Sequence, residues 1–299
     1  MIVFLSIFID SSYFSAFLET PIHIGSSEHV TTHKFSEDPK IEIINTFFEK
    51  CQAEDGGALK LRSLSVFLEN CIFVDNFAKN KGGSICIIDN KDSKMDYSAI
   101  SSSSAESSGA MDVVATECQV LNSNFSKNSA IQMCTVLQAS SILTIRESRF
   151  ADNLFCTQIG ILNVWGTVLC SDSLFSNQSV SRYAAGINIH SSNSESSVIF
   201  CIFKNLLSKE RGSAIYIHEK GPGIGIRDCI IDGYEAQSFF GSVIIKGNVT
   251  FVVSQSGVGN KIVLGYLLII VPLLIVYALV RMYIPLIRAK KKAKKFFKA

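Results

Sequence analysis

Cys71-Ile-Phe73-Val-Asp-Asn76, followed by Gly82-Gly83-Ser84-Ile85, is the phrase that decides the fold of this chain. It returns as Ser148-Arg-Phe150-Ala-Asp-Asn153 with Gly160-Ile161, and as Cys201-Ile-Phe203-Lys-Asn205 with Gly212-Ser213-Ala214-Ile215. Another copy reads Cys229-Ile-Ile231 with Gly241-Ser242-Val243-Ile244, and fainter ones surround Phe48, Ile100, Phe125 and Leu174-Phe175. With the aromatic positions at 48, 73, 100, 125, 150, 174, 203 and 231, the steps are 25, 27, 25, 25, 24, 29 and 28 residues. Self-similarity at a fixed step of this size marks a solenoid.

The segments between the anchors decide which solenoid. They are short runs of Ile, Val, Leu and Phe broken by Asn, Ser, Asp and Gly, which are strand and turn signals. Between Lys40 and Val271 the only proline is Pro222, as a ladder of paired strands requires, because proline cannot donate. The LxxLxL pattern of leucine-rich repeats is missing, and no helical stretch separates the strands. The expected fold is therefore an all-β solenoid, a right-handed parallel β-helix of about eight coils. At ~4.8 Å per coil it would be roughly 40 Å long.

Each motif residue has an expected job. The phenylalanines, with Ile100, Leu174 or Phe175, and Ile231 at their positions, should form one internal stack. The asparagine three residues on should close a turn and tolerate left-handed dihedrals. The glycine pair should make a corner at positive φ. Cys71, Cys201 and Cys229 fall at one angular position, where small thiols are expected to pack rather than to form disulfides. The serine-rich run 98–108, seven serines in 11 residues, reads as a widened loop bulging from one coil.

The chain has 299 residues, 47% hydrophobic and 18% charged, which excludes a disordered or collagenous protein. Its net charge of +2 is uneven. Residues 281–299 hold eight Lys/Arg and no acid, leaving 20 basic and 26 acidic residues in the rest. The basic balance thus gives no reason to expect a nucleic-acid partner. Residues 262–280 carry no charge and are bounded by Lys261 and Arg281. That run suits one C-terminal transmembrane α-helix, drawn over 262–283, with the basic tail 284–299 in the cytosol by the positive-inside rule. The tail would lie on anionic inner-leaflet lipids. Residues 1–20 are then expected to be a signal peptide or N-terminal anchor, with a first β-strand of the body as the alternative. Residues 21–255 form the β-helix ectodomain and 256–261 a linker. This places the chain at the plasma membrane or cell surface as a single-pass type I protein.

The paired pattern FxxN and GGA-[ILV], clearest at 71–85 and 201–217, resembles the repeats of the polymorphic membrane proteins, known from chlamydial surface adhesins and from trichomonad surface proteins. The resemblance covers roughly 45–250. It implies a β-helix surface protein working by adhesion. The chlamydial proteins resemble autotransporters and end in a β-barrel, whereas this chain ends in an apolar run and a lysine-rich tail, so their export route is not implied.

Little in the sequence carries chemistry. There is no HExxH, GxSxG, Walker A or EF-hand pattern. No catalytic residue, cofactor or metal site is expected; His29 and His33 lack a third ligand. His190 and His218, one coil apart, should sit one above the other on an outer face. Asp75, Asp152, Asp172 and Asp228 read as turn residues rather than as a polysaccharide lyase or hydrolase cluster. The exported chain offers three N-glycosylation acceptors, Asn124, Asn177 and Asn248, each followed two residues on by Ser or Thr. The expected activity is non-catalytic contact with an extracellular protein or glycan. A β-helix enzyme acting on glycans and a structural surface coat are the alternatives.

Overall fold

Among the described residues every strand pair is parallel, and the partner of each strand lies about one repeat away in sequence. The computed structural model describes residues 6–15, 22–24, 40–62, 65–154, 156–191, 196–209, 212–218 and 223–252. Among them the only α-helix is Glu235–Ser238. The protein is an all-β parallel solenoid with seven full turns between Phe48 and Ile231. Strands before and after them extend the ladder.

The strands form three stacked sheets. The anchor sheet has ten strands, one per level, from Tyr13–Ser15 to Val249–Val252. A short sheet of four strands follows it around the coil. The broad sheet has 16 strands in two limbs. In the middle coils one long strand spans both limbs, as in Ile85–Asp96, Met111–Leu121 and Leu137–Arg146. Elsewhere the limbs are separate strands, such as Leu162–Trp165 upstream and Val168–Ser171 downstream.

The anchor column stacks as expected. Phe48 lies 4.8 Å from Phe73, Phe125 lies 4.9 Å from Phe150, and Phe150 and Phe203 each lie 5.0 Å from Phe175, with ring planes within 8°. Strand spacing sets that distance, and it falls within the favourable range for aromatic pairs. The anchor at the 174 level is Phe175, fully buried; Leu174 lies on the other side of the strand. The ladder also starts earlier than the repeats suggested. Phe14 stacks on Phe48 at 5.0 Å, Ser6–Asp10 pairs with Lys40–Ile44, and the Tyr13 hydroxyl donates to Glu49 at 2.7 Å. Strands therefore occupy part of the 1–20 segment.

Two turns flank each anchor, and both place one residue in the left-handed region. One column stands three residues before the anchor and includes Asn45, Asn70, Asn122 and Asp172 at φ 47–51°. The other stands two residues after it and includes Asp75, Lys127 and Asp152 at φ 55–57°. This corrects the role expected of the FxxN asparagine, because the left-handed residue is the one before it. Asn128 instead forms an internal ladder. Its Oδ1 accepts from the Ser103 amide at 3.0 Å, and its Nδ2 donates to the Ile100 carbonyl at 3.0 Å. Asn76 and Asn153 make the equivalent pairs with the coil below.

A hydroxyl or thiol ladder runs two residues before the anchors. The Ser98, Ser123 and Ser148 hydroxyls each donate to the carbonyl two residues earlier and accept an amide from the coil below. Cys71, Cys201 and Cys229 occupy the same position, their thiols donating in the same sense. All nine cysteines are buried free thiols. The serine-rich run is likewise no bulge. It contains strands Ala99–Ser101 and Ser104–Ala105, and Ser98, Ser103 and Ser108 are buried.

In the glycine pair only the first member needs positive φ, as at Gly82, φ 63°. The second is required by contact: a Cβ on Gly83 would lie 2.1 Å from the Gly109 carbonyl oxygen of the next coil. Among the described residues no helix is long and apolar enough to cross a membrane; the run 262–283 and the tail lie outside them, as do His29 and His33.

Candidate functional site

A solenoid strand buries alternate side chains, so the residues between them form outward columns. On the upstream limb of the broad sheet the inward residues are aliphatic: Leu59/Leu61, Ile85/Ile87, Met111/Val113, Leu162/Val164, Ile187/Ile189 and Ile215/Ile217. The outward column between them reads, level by level in register, Lys60, Cys86, Asp112, Gln138, Asn163, Asn188, Tyr216, Phe240. This stripe changes character along the rod, from charged through amide to aromatic.

The aromatic end is the most developed surface feature. Trp165 stacks face to face on His190 at 3.9 Å, and His190 on His218 at 4.4 Å, with planes within 3°. Trp165 and His190 are 25 residues apart, the same step that pairs Asn163 with Asn188, although a shift after Val164 pairs the Trp165 backbone with Ser191. Tyr183 meets His218 edge-on at 4.8 Å, and Tyr216 stacks on Phe240 at 4.5 Å. Trp165 and Phe240 are more than a third exposed.

Beneath these rings runs a buried amide ladder. Asn188 Nδ2 donates to Asn163 Oδ1 at 2.9 Å, and Asn163 Nδ2 reaches Gln138 Oε1 at 3.4 Å. His190 Nε2 lies 2.9 Å from Asn163 Oδ1, and His218 Nε2 lies 3.0 Å from Asn188 Oδ1. An amide oxygen only accepts, so His218 carries hydrogen on Nε2; His190 Nε2 also faces the Asn188 Nδ2 donor at 3.2 Å, so its role depends on the tautomer. Burial, and then the neighbouring His218, lowers the His190 pKa to about 4. His190 is therefore neutral at physiological pH. The platform is a flat aromatic face with amides at its base.

The charged end holds a cluster that spacing did not reveal. Asp112 is almost wholly buried; Ser108 Oγ donates to its Oδ2 at 2.9 Å, and Lys81 Nζ lies 3.7 Å from its Oδ1. Burial raises the Asp112 carboxyl against the pull of Lys81. Asp55 pairs with Lys60 at 2.9 Å and accepts from Asn80 at 3.3 Å; these partners outweigh its burial and lower its pKa. Burial, with the Asp112 charge added, pushes the Cys86 thiol up to about 12, so it is a poor nucleophile. Asp55, Lys81 and Asp112 come from three successive coils, and only the coil register joins them.

The four aspartates weighed from the sequence do not meet. Asp75 and Asp152 occupy the turn column after the anchors, Asp172 and Asp228 the column before them. Asp152 accepts from Asn177 Nδ2, and Asp228 pairs with Arg227 at 3.4 Å. His190 and His218 are stacked on an outer face, as their spacing suggested. Asn124 points outward from the anchor sheet; Asn177 and Asn248 are exposed at turns bordering it. On the downstream limb, Lys40 and Lys94 flank the Phe67 ring at 5.9 and 5.2 Å, but each also pairs with a carboxylate, Glu42 and Asp96. That patch is self-neutralised. No protein-family model, no curated protein and no solved structure matches the chain.

Proposed function

We propose that the protein is a membrane-anchored surface solenoid of the polymorphic membrane protein type, binding an extracellular glycan or protein without altering it. One observation carries this: the Trp165–His190–His218 stack with Tyr183, Tyr216 and Phe240 beside it. Flat aromatic faces with amides at their base suit the apolar faces and hydroxyls of sugars. They suit equally the aromatic hot spots of protein partners. The stripe follows the rod, so an extended ligand would lie along the axis. The anchor would be 262–283, with the basic tail on anionic lipids.

A glycan-cleaving enzyme is the second reading, and the divergent carboxyls of Asp55 and Asp112 favour it, since acid–base pairs are built that way. The burial of Asp112 argues against it, because a side chain only 2% exposed does not reach a polymer's glycosidic oxygen. The test is to incubate the full-length protein with cells and with pectins, hyaluronan and chondroitin, following both retention and product. Retention without product is expected. Product that disappears in Asp112→Asn would establish the enzyme instead. Neither retention nor product would favour a structural coat.

A further inference from the structure

The three glycosylation acceptors lie on one side of the solenoid. Asn124 points outward from a central strand of the anchor sheet, between the levels of Ala99 and Arg149. Asn177 stands at the turn immediately after the Phe175 anchor. Asn248 directly precedes the last anchor strand, Val249–Val252. All three side chains are exposed. The stripe carries asparagines too, Asn163 and Asn188, but Trp165 and His190 occupy the position where an acceptor triplet needs Ser or Thr.

The outward face of the anchor sheet gives a physical reason for covering it. In register with Asn124 run Tyr13, Ile72, Ile202 and Ile230, 62%, 42%, 40% and 45% exposed. A flat parallel face with a row of exposed apolar residues is a self-association hazard. Asn124 stands midway along that row. Asn177 adds a compatible site: its Nδ2 donates to Asp152 Oδ1 at 2.6 Å, and an amide nitrogen with one hydrogen replaced by a sugar keeps the other for that bond.

We propose that N-linked glycans on Asn124, Asn177 and Asn248 sheathe the anchor-sheet side and leave the upstream-limb stripe bare as the contact side. The proposal rests on the export assumed above. The linkage forms by transfer of a lipid-linked oligosaccharide to Nδ2, with the lipid pyrophosphate leaving and one amide proton lost.

The test uses the full chain from eukaryotic secretory cells. Amidase release in heavy-oxygen water converts each modified asparagine to a labelled aspartate, which peptide mass spectrometry reads. Labelling at all three positions is expected. An exported chain unlabelled at Asn124, Asn177 or Asn248 overturns the proposal. Protease protection of the body reports separately whether export itself fails. Enzymatic deglycosylation of the folded protein should raise self-association several-fold by light scattering while leaving retention on cells unchanged. Gln138→Asn, which completes an acceptor triplet with Ala139 and Ser140 on the stripe, should add a fourth glycan and cut retention at least tenfold. Unchanged retention with that fourth glycan in place, or a loss of retention on deglycosylation, would overturn the assignment of sides.

Discussion

The anchor column and the stripe run along the same solenoid on residues of the same strand ladder type, yet they obey opposite rules. Inside, the anchor repeats: six of its members, Phe48, Phe73, Phe125, Phe150, Phe175 and Phe203, are phenylalanines almost wholly out of solvent. Outside, no two neighbouring levels of the stripe carry the same residue except Asn163 and Asn188. Stacking identical coils fixes the inward residue, because each must fit the one above. The outward residue need not match its neighbours, so the column varies: its Cys86, Asp112, Asn163 and Asn188 are buried, while Trp165 and Phe240 at the aromatic end are what it presents.

The comparison predicts unequal costs. Phe125→Ala removes a ring from the middle of the stack and should lower unfolding free energy by about 3–5 kcal/mol in chemical denaturation. A loss below about 1 kcal/mol would mean that the column is not the core. Next come the ladder and the corner. Asn128→Ala leaves the Ser103 amide and the Ile100 carbonyl without their partner and should cost about 1–3 kcal/mol. Gly83→Ala drives a methyl into the Gly109 carbonyl and should cost a similar ~1–3 kcal/mol despite its ordinary φ. An unchanged midpoint for Gly83→Ala would show that the coils are looser there than the contact implies.

Ser93 tests the inward rule where it is broken. It stands level with Val66 and Cys118, and its hydroxyl is buried without a hydrogen-bond partner among the described residues. Ser93→Val should therefore stabilise the protein by about 1 kcal/mol. Destabilisation would point to a polar partner for that hydroxyl.

The inside of the rod was largely legible in the sequence, since repetition is visible without a structure. Its errors were local. Asn76 and Asp75 exchanged roles because both types favour turns, and only the backbone tells which one turns left-handed. The run 98–108 looked like a loop because serine is common in loops, although here it serves as the ladder hydroxyl. Phe14 went unnoticed because its coil is 34 residues from the next anchor, outside the common step. The stripe was hardly legible. Histidine spacing hinted at it, and Trp165 lies one ordinary 25-residue step before His190, but a single tryptophan does not repeat and so gives no periodic signal.

The stripe adds a pH-dependent effect. With a folded pKa near 4 against 6.5, His190 binds fewer protons than the unfolded chain does between those values. Its contribution to stability is thus complete above pH 6.5 and is lost as pH falls through about 4. An imidazole proton titration by NMR should give a midpoint near 4, and one near 6.5 would place the ring in open water.

The most direct measurement compares retention of the full-length protein and its Trp165→Ala/His218→Ala variant on cells and on the polysaccharide panel. An exposed control pair, Tyr234→Ala/Leu207→Ala, accompanies them. The stripe variant should keep a cooperative unfolding transition, with about 1–2 kcal/mol lost from the broken stacks, and lose at least tenfold in retention. The control pair should retain like the parent. Equal retention by a folded stripe variant would contradict the claim that the outward column of the upstream limb is where the protein makes contact.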